Sequence, residues 1–281
     1  MNKNIFKSNI KIKHADWPHI ILLTGLILVF SAVGYFLFDG ILLLIYSALA
    51  AMFFIILSVV HHYRLFRSDL EYNQYKTQAL NEITSLLNLR LPLPPMTGWA
   101  ATPELAVTVL KTIITNKPKH VIELGSGVST IVSAYAIEKY SPESSVISFD
   151  HDPEYAEKTR NELQIHQLQT FARILHAPLT DISLKGKKWR WYDIDESILG
   201  SKNIDLLIID GPPVKTQKYA RYPALPFFFN YISENGIIIL HDTDRETESE
   251  TLNRWTEELE GIQLMKNVYS EKGVTLLCKR P

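Results

Sequence analysis

A single cysteine, Cys278, is all the thiol chemistry in the chain. That excludes an intramolecular disulfide and fits a reducing compartment. The cysteine ends the apolar stretch Val274-Thr275-Leu276-Leu277, so it is expected as buried filler. A basic excess is also missing: 29 Lys and Arg stand against 30 Asp and Glu, a net charge of −1. The first sixty residues hold four lysines against Asp16 and Asp39, a net of +2, which leaves −3 for the rest. A nucleic-acid grip needs a basic face, so the charge balance argues against that class of partner. No internal repeat and no low-complexity tract are visible.

What the chain has in excess is uncharged length near its N-terminus. Residues 20–38 and 41–60 carry no charged side chain, and only Asp39 and Gly40 separate them. At 1.5 Å per residue each run spans roughly 30 Å, the thickness of a bilayer core. A buried core helix rarely runs so far without a polar face. A secretory signal is a poor fit, because the small residues Ala48 and Ala50 lie inside the second run. The expectation is a two-helix membrane hairpin over 19–61, in contact with lipid. Lys3, Lys7, Lys11 and Lys13 precede it, Arg64 and Arg67 follow it, and the turn has neither Lys nor Arg. The positive-inside rule then places both termini, and everything after residue 61, in the cytoplasm.

Residues 1–18 read as a basic cytoplasmic N-terminus, and 62–95 as a helical connector with a proline-rich end. Leu91-Pro92-Leu93-Pro94-Pro95-Met96-Thr97-Gly98 cannot be helical. Thr102-Pro103-Glu104 then opens a helix, with a capping hydroxyl, proline at the first position and an acid in the first turn. From residue 120 strands and helices alternate: strands at 120–124, 146–150, 171–176, 204–210 and 237–241, helices at 128–139, 153–167 and 245–258. The fold class is therefore α/β, a doubly wound, Rossmann-like, mostly parallel sheet of seven strands over residues 96–281. Segments 263–268 and 274–279 flank Glu271-Lys272-Gly273 and read as a hairpin, so the last strand runs antiparallel.

In such a sheet ligands bind beyond the C-terminal strand ends, where the strand order switches. Gly125-Ser126-Gly127 follows the first strand. Gly125 allows a positive φ, and Gly127 admits a ligand close to the backbone. Two alternatives lack their marks. A dinucleotide loop wants a third glycine where Thr130 stands, and a phosphate-binding P-loop wants a lysine this loop does not have. Glu123 would repel a pyrophosphate but suits a ligand with a cationic sulfur and an ammonium group. The second strand ends in Asp150, placed to accept from vicinal ribose hydroxyls, while Asp152 caps the helix that begins at Pro153.

Glu123-Leu124-Gly125-Ser126-Gly127, Phe149-Asp150, Asp205-Leu206-Leu207-Ile208-Ile209-Asp210-Gly211-Pro212-Pro213 and the closing hairpin together resemble the class I S-adenosylmethionine-dependent methyltransferases. Asp210-Gly211 and His241-Asp242 are similar to a branch that contains O-methyltransferases of small molecules and sugars. The hairpin anchor lies outside the family pattern. The resemblance implies S-adenosyl-L-methionine as cofactor. It puts Gly125 and Gly127, with Ser126 and Ser129 beside them, under the methionine part and Glu123 at its amino end. It puts Asp150 on the ribose, His151 and Ala177 along the adenine, and Thr97 and Gly98 in a loop that closes over the site, with Trp99 either part of that closure or a packing anchor.

Asp210, His241 and Asp242 end the two central strands and are the expected catalytic groups. Methyl transfer needs alignment above all, and an alcohol acceptor also needs a base, for which His241 or Asp210 is suited. In related enzymes two such acids hold a divalent metal. Asp210 and Asp242 would be its ligands here, Mg²⁺ for instance, although Pro212 and Pro213 leave no further side chain to complete the shell. Arg221 reads either as a contact to an anionic substrate or as a surface ion pair. Trp189, Trp191 and Tyr192 read as cover for a sheet edge, or as headgroup contacts. The resulting expectation is a membrane-anchored methyltransferase acting at the cytoplasmic face on a small-molecule, sugar or lipid-linked acceptor. Its rivals are a nicotinamide- or nucleotide-sugar-dependent enzyme on the same sheet and a non-catalytic membrane scaffold. The oligomeric state is not legible.

Overall fold

The computed structural model describes residues 17–37, 40–98, 100–199, 203–268 and 270–281. The N-terminal lysines, Asp39 and Trp99 lie outside the described residues. The chain forms two compact units, Met1–Gln74 and Tyr75–Pro281.

The first unit is built on α1 (Trp17–Leu37) and the start of α2 (Gly40–Leu86). The two helices touch where their side chains permit: Phe30 and Phe54 meet edge to face at 5.5 Å. Gly34 is pressed so closely that a Cβ there would come within 2.4 Å of the Tyr46 ring. Their outer faces are apolar and bare, with Phe36 85% and Ile41 75% exposed, a surface that water does not tolerate in bulk. Of the two spans expected, one meets the length. Among the described helices α2 is long and apolar enough to cross a membrane by length and composition, whereas the apolar stretch of α1, Ile21–Leu37, is shorter. Beyond residue 60 α2 continues without a break into charged sequence, where Arg67 bonds Glu71 one turn on at 3.1 Å.

The second unit opens with α3 (Pro103–Asn116), whose Thr102 cap accepts from Leu105 N at 3.3 Å. It continues through β1 (His120–Leu124), α4 (Val128–Tyr140), β2 (Ser145–Asp150), α5 (Pro153–Ile165) and β3 (Ala172–His176). A two-stranded hairpin follows, β4 (Leu179–Leu184) and β5 (Lys187–Tyr192). The chain then returns through β6 (Ile204–Ile209), α6 (Ala224–Phe228), β7 (Ile232–His241), α7 (Glu246–Glu258), β8 (Ile262–Val268) and β9 (Val274–Lys279).

The main sheet has seven strands in the order β3-β2-β1-β6-β7-β9-β8. The first five are parallel; β9 runs antiparallel to both β7 and β8. This is the mostly parallel sheet with an antiparallel last strand that the sequence implies. Its cause is visible in β6, where Leu206 to Ile209 are all fully buried. Leu206 and Ile208 join the apolar cluster of α3, α4 and α5, while Leu207 and Ile209 join the opposite one with Trp191 and Trp255. A strand covered on both faces can afford no polar alternation. The chain leaves β1 toward β2 and β3, then comes back to β6 on the other side, so the crossover lies between β1 and β6.

The β4–β5 hairpin was not expected from the sequence. Trp189 and Trp191 are buried on it, and Trp189 stacks on Tyr222 at 4.9 Å. These aromatics face the protein, which removes the headgroup reading.

Candidate active site

Two glycine-containing loops meet at the crossover. Gly125 takes φ +92°, and a Cβ on it would meet Gly211 N at 3.2 Å. Backbone hydrogen bonds lock the approach: Gly125 N to Phe149 O at 2.8 Å and Asp210 N to Leu124 O at 2.9 Å. Gly127 faces open space. The space is a cavity of about 550 Å³, within the range of cofactor sites. Ser126, Gly127, Ser129, Asp150 and His151 line one side. Thr97, Gly98, Asp210, His241 and Asp242 line the other.

Asp150 ends β2 at the cavity, but it is only 4% exposed. Its Oδ2 accepts from Ser126 N at 2.9 Å and Ser126 Oγ at 2.7 Å, and its Oδ1 accepts from Asp152 N at 3.0 Å. Burial pushes its carboxyl up, but the hydrogen bonds from His151, Asp152 and Ser126 outweigh that and hold it below the ordinary value. Asp150 thus pins the glycine loop as well as facing the cavity. The neighbouring Asp152 caps α5 through Glu154 N at 2.9 Å, as its position before Pro153 suggested.

Two expected contacts lie elsewhere. Glu123 is fully buried beneath the loop and absent from the cavity wall. Its Oε2 accepts from Thr130, whose Oγ1 also accepts from Gly127 N at 3.0 Å, while Oε1 has no partner. Burial pushes this carboxyl up to about 7, against the pull of nearby hydroxyls. Thr130, standing where a dinucleotide loop has its third glycine, therefore joins the acid to the loop. Ala177 is buried in the apolar cluster and gives its N–H to Asp150 O at 2.7 Å; it does not line the cavity.

The strand-end groups form one network. His241 Nδ1 lies 2.7 Å from Asp210 Oδ1, and its Nε2 faces Thr102 Oγ1 at 3.4 Å. His241 is 1% exposed, against 15% for the Asp210 side chain. Asp210 is thus the most accessible of the three. Arg221 enters from the segment before α6 and is 3% exposed, so it is not a surface ion pair, and it lines the cavity. It donates to Asp242 Oδ2 at 2.7 Å, to Asp210 O at 2.6 Å and to His241 O at 2.7 Å, with Asp210 Oδ1 at 3.3 Å. Arg245 reaches the same Asp242 oxygen at 2.9 Å. Asp242 does not cap α7: its side chain serves this network, from a backbone at φ +62°.

Among the described residues, Asp210, His241 and Asp242 bring ligand atoms within 4.8 Å of one another. The chemistry of that set does not fit a divalent ion. Each of the bonded oxygens is already given to a cation or an imidazole, and a guanidinium sits between the two acids.

Sequence reasoning missed several wall residues. Tyr155 and Lys158 lie one turn apart on α5, and Arg245 and Lys272 line the cavity with them. Tyr192, at the end of β5, is 1% exposed with a hydroxyl that has no partner, and it lines the cavity. Its oxygen lies so close to Gly211 that a Cβ there would be 2.1 Å away. Burial, with Asp150 nearby, pushes its phenol well above the usual value. The alternation Trp189-Arg190-Trp191 was the available signal for a strand that ends there.

Residues 122–243 match a family model described as a methyltransferase domain. No curated protein matches the chain. Solved structures share the fold. Methyltransferase PaMTH1 from Podospora anserina, solved with SAH bound, is 14% identical, with 76% of this chain and 96% of that one covered and a TM-score of 0.52. O-methyltransferase TomG from Streptomyces achromogenes, involved in tomaymycin synthesis and solved in complex with SAM, is 12% identical. There 75% of this chain and 99% of that one are covered, at a TM-score of 0.51. From the family match and the site it spans, the chain carries a methyltransferase domain over residues 122–243.

Proposed function

We propose that the enzyme is anchored in a membrane and methylates a hydroxyl group at the cytoplasmic face. The observation that carries the chemistry is Asp210. It stands at the β1–β6 crossover, beside the bare backbone of Gly125, with one carboxylate oxygen held by His241. S-adenosylmethionine, when bound, would supply an activated methyl group on a sulfonium, whose sulfur–methyl bond breaks to leave a neutral thioether. Gly125 and Gly127 leave room for it against the backbone. Asp150 holds the loop and offers its remaining lone pairs to the ribose. Tyr192 offers an unused donor at the wall. Asp210 takes the acceptor's proton through Oδ2 as the oxygen–methyl bond forms, and His241 keeps Asp210 in place by donating from Nδ1. Removing such a base typically slows turnover about 10²- to 10⁴-fold.

The uncharged runs and their lysine and arginine flanks support two crossings with both ends inside. They also support the division into an N-terminus (1–18), hairpin (19–61), connector (62–95) and catalytic domain (96–281). Lys215, Arg245 and Lys272 also line the cavity, with Arg245 already on Asp242. They favour an acceptor that carries negative charge, and the anchor favours one that is lipid-linked. The test is methyl transfer from labelled S-adenosylmethionine to a lipid extract and to a soluble extract, with full-length enzyme in detergent. Label in the anionic lipid fraction, lost with Asp210→Asn, is expected. Label confined to soluble neutral compounds would remove the lipid-linked acceptor.

A further inference from the structure

We propose that the Arg221 guanidinium is the fixed cation of the transfer site, standing where a divalent metal would have to sit and making the enzyme metal-independent. The inference rests on the methyltransferase reading above, and it concerns what holds the two strand-end acids together.

Asp210 and Asp242 end adjacent parallel strands, and two carboxylates so placed repel one another. Something cationic must sit between them. In this chain it is supplied internally. One nitrogen, Nη2, reaches Asp242 Oδ2 at 2.7 Å, Asp210 Oδ1 at 3.3 Å and Asp210 O at 2.6 Å, and Nη1 reaches His241 O at 2.7 Å. A single buried fork therefore clamps the ends of β6 and β7 by both side chain and backbone. Arg245 adds a second positive charge on Asp242. One Asp242 oxygen, Oδ1, is left without a hydrogen-bond partner. With Asp210 Oδ2 it makes two free carboxylate oxygens, against the roughly six oxygen ligands a hard divalent ion takes, and the ion would face Arg221 at close range.

The clamp also explains the geometry at Asp210. His241 and Arg221 both approach Oδ1, so Oδ2 is the oxygen left toward the cavity. A bound metal would draw off that lone pair. The guanidinium leaves it available to the acceptor's proton. Arg221 is thus a positioning residue: it touches the acids and the strand ends rather than the reacting atoms.

Mn²⁺ binding measured by electron paramagnetic resonance tests this on the full chain in detergent, with S-adenosylhomocysteine binding followed separately by calorimetry. Wild-type enzyme should show no stoichiometric Mn²⁺ binding. Arg221→Ala should expose the acid pair and bind Mn²⁺ at least about tenfold more tightly than wild type, and Asp242→Asn in the same variant should abolish the gain. Arg221→Lys should remain without a Mn²⁺ site. Tight, stoichiometric Mn²⁺ binding by wild type would overturn the proposal even if Arg221→Ala failed to fold. A folded Arg221→Ala with no gain in Mn²⁺ affinity would overturn it too. Loss of S-adenosylhomocysteine binding by wild type would instead strike the methyltransferase reading and leave the Mn²⁺ result to stand alone.

Discussion

Tyr192 separates stability from function more cleanly than any other residue in the site. Its hydroxyl is buried without a partner, and an unmet donor costs the fold about 1–3 kcal/mol. Tyr192→Phe should therefore melt no lower than wild type, and higher if the ring keeps its place. If the hydroxyl is reserved for the cofactor, the same change should weaken S-adenosylhomocysteine binding about 3- to 10-fold. Parallel thermal melts and calorimetry check both halves; a lower melting point with unchanged affinity would make Tyr192 a packing residue. Glu123 gives a pH signature. Its folded-state value of about 7 lies above the ordinary glutamate value of 4.5. The folded chain then holds the proton more tightly, so stability is full below about pH 4.5, falls as pH rises toward 7, and levels off above it. The whole effect is on the order of 3 kcal/mol. Glu123→Gln should flatten the melting temperature between pH 5 and 7.5; an unchanged slope would assign it to other groups. Neither behaviour was legible in the sequence. Glu123 read as a ligand contact because an acid before a glycine loop suits a cationic ligand, and only its burial and its hydrogen bond from Thr130 show that it lies underneath. Arg221 was ambiguous for the same reason, since its burial comes from segments far apart in the chain.

At the scale of elements, legibility followed periodicity. The apolar run of β6 announced a strand covered on both faces, and Thr102-Pro103-Glu104 announced α3. The β8–β9 hairpin was marked by Glu271-Lys272-Gly273, where Gly273 takes φ +79°. The β4–β5 hairpin was obscured, because lysines and arginines alternate with its tryptophans and the charges suggested a surface. Its strands pair Ile182 with Trp189 and Thr180 with Trp191, contacts no local pattern encodes. The helices of the first unit carry a prediction of their own. A reporter fused after Pro281 should be active only in its cytoplasmic form, because lysines precede α1 and arginines follow the apolar part of α2. Activity of an external reporter at that position would reverse the topology and separate the enzyme from its cytoplasmic cofactor.

Across the whole molecule, the sheet sets the chemistry by bringing four strand ends to one crevice. β1 and β2 deliver the glycine loop and Asp150; β6 and β7 deliver Asp210, His241 and Asp242. Gly125 and Gly211 allow the two halves to close on each other, and Arg221 ties the second half together. The central claim is that this crevice is a S-adenosylmethionine site anchored by Asp150. Calorimetric titration of the full-length chain in detergent with S-adenosylhomocysteine, and separately with NAD, tests it most directly. The account predicts saturable one-to-one binding of S-adenosylhomocysteine, none of NAD, and a loss of about 30- to 1000-fold in affinity with Asp150→Ala, as two charge-assisted hydrogen bonds and the loop they steady are removed. Equal affinity in Asp150→Ala, or heat from NAD and none from S-adenosylhomocysteine, would contradict it.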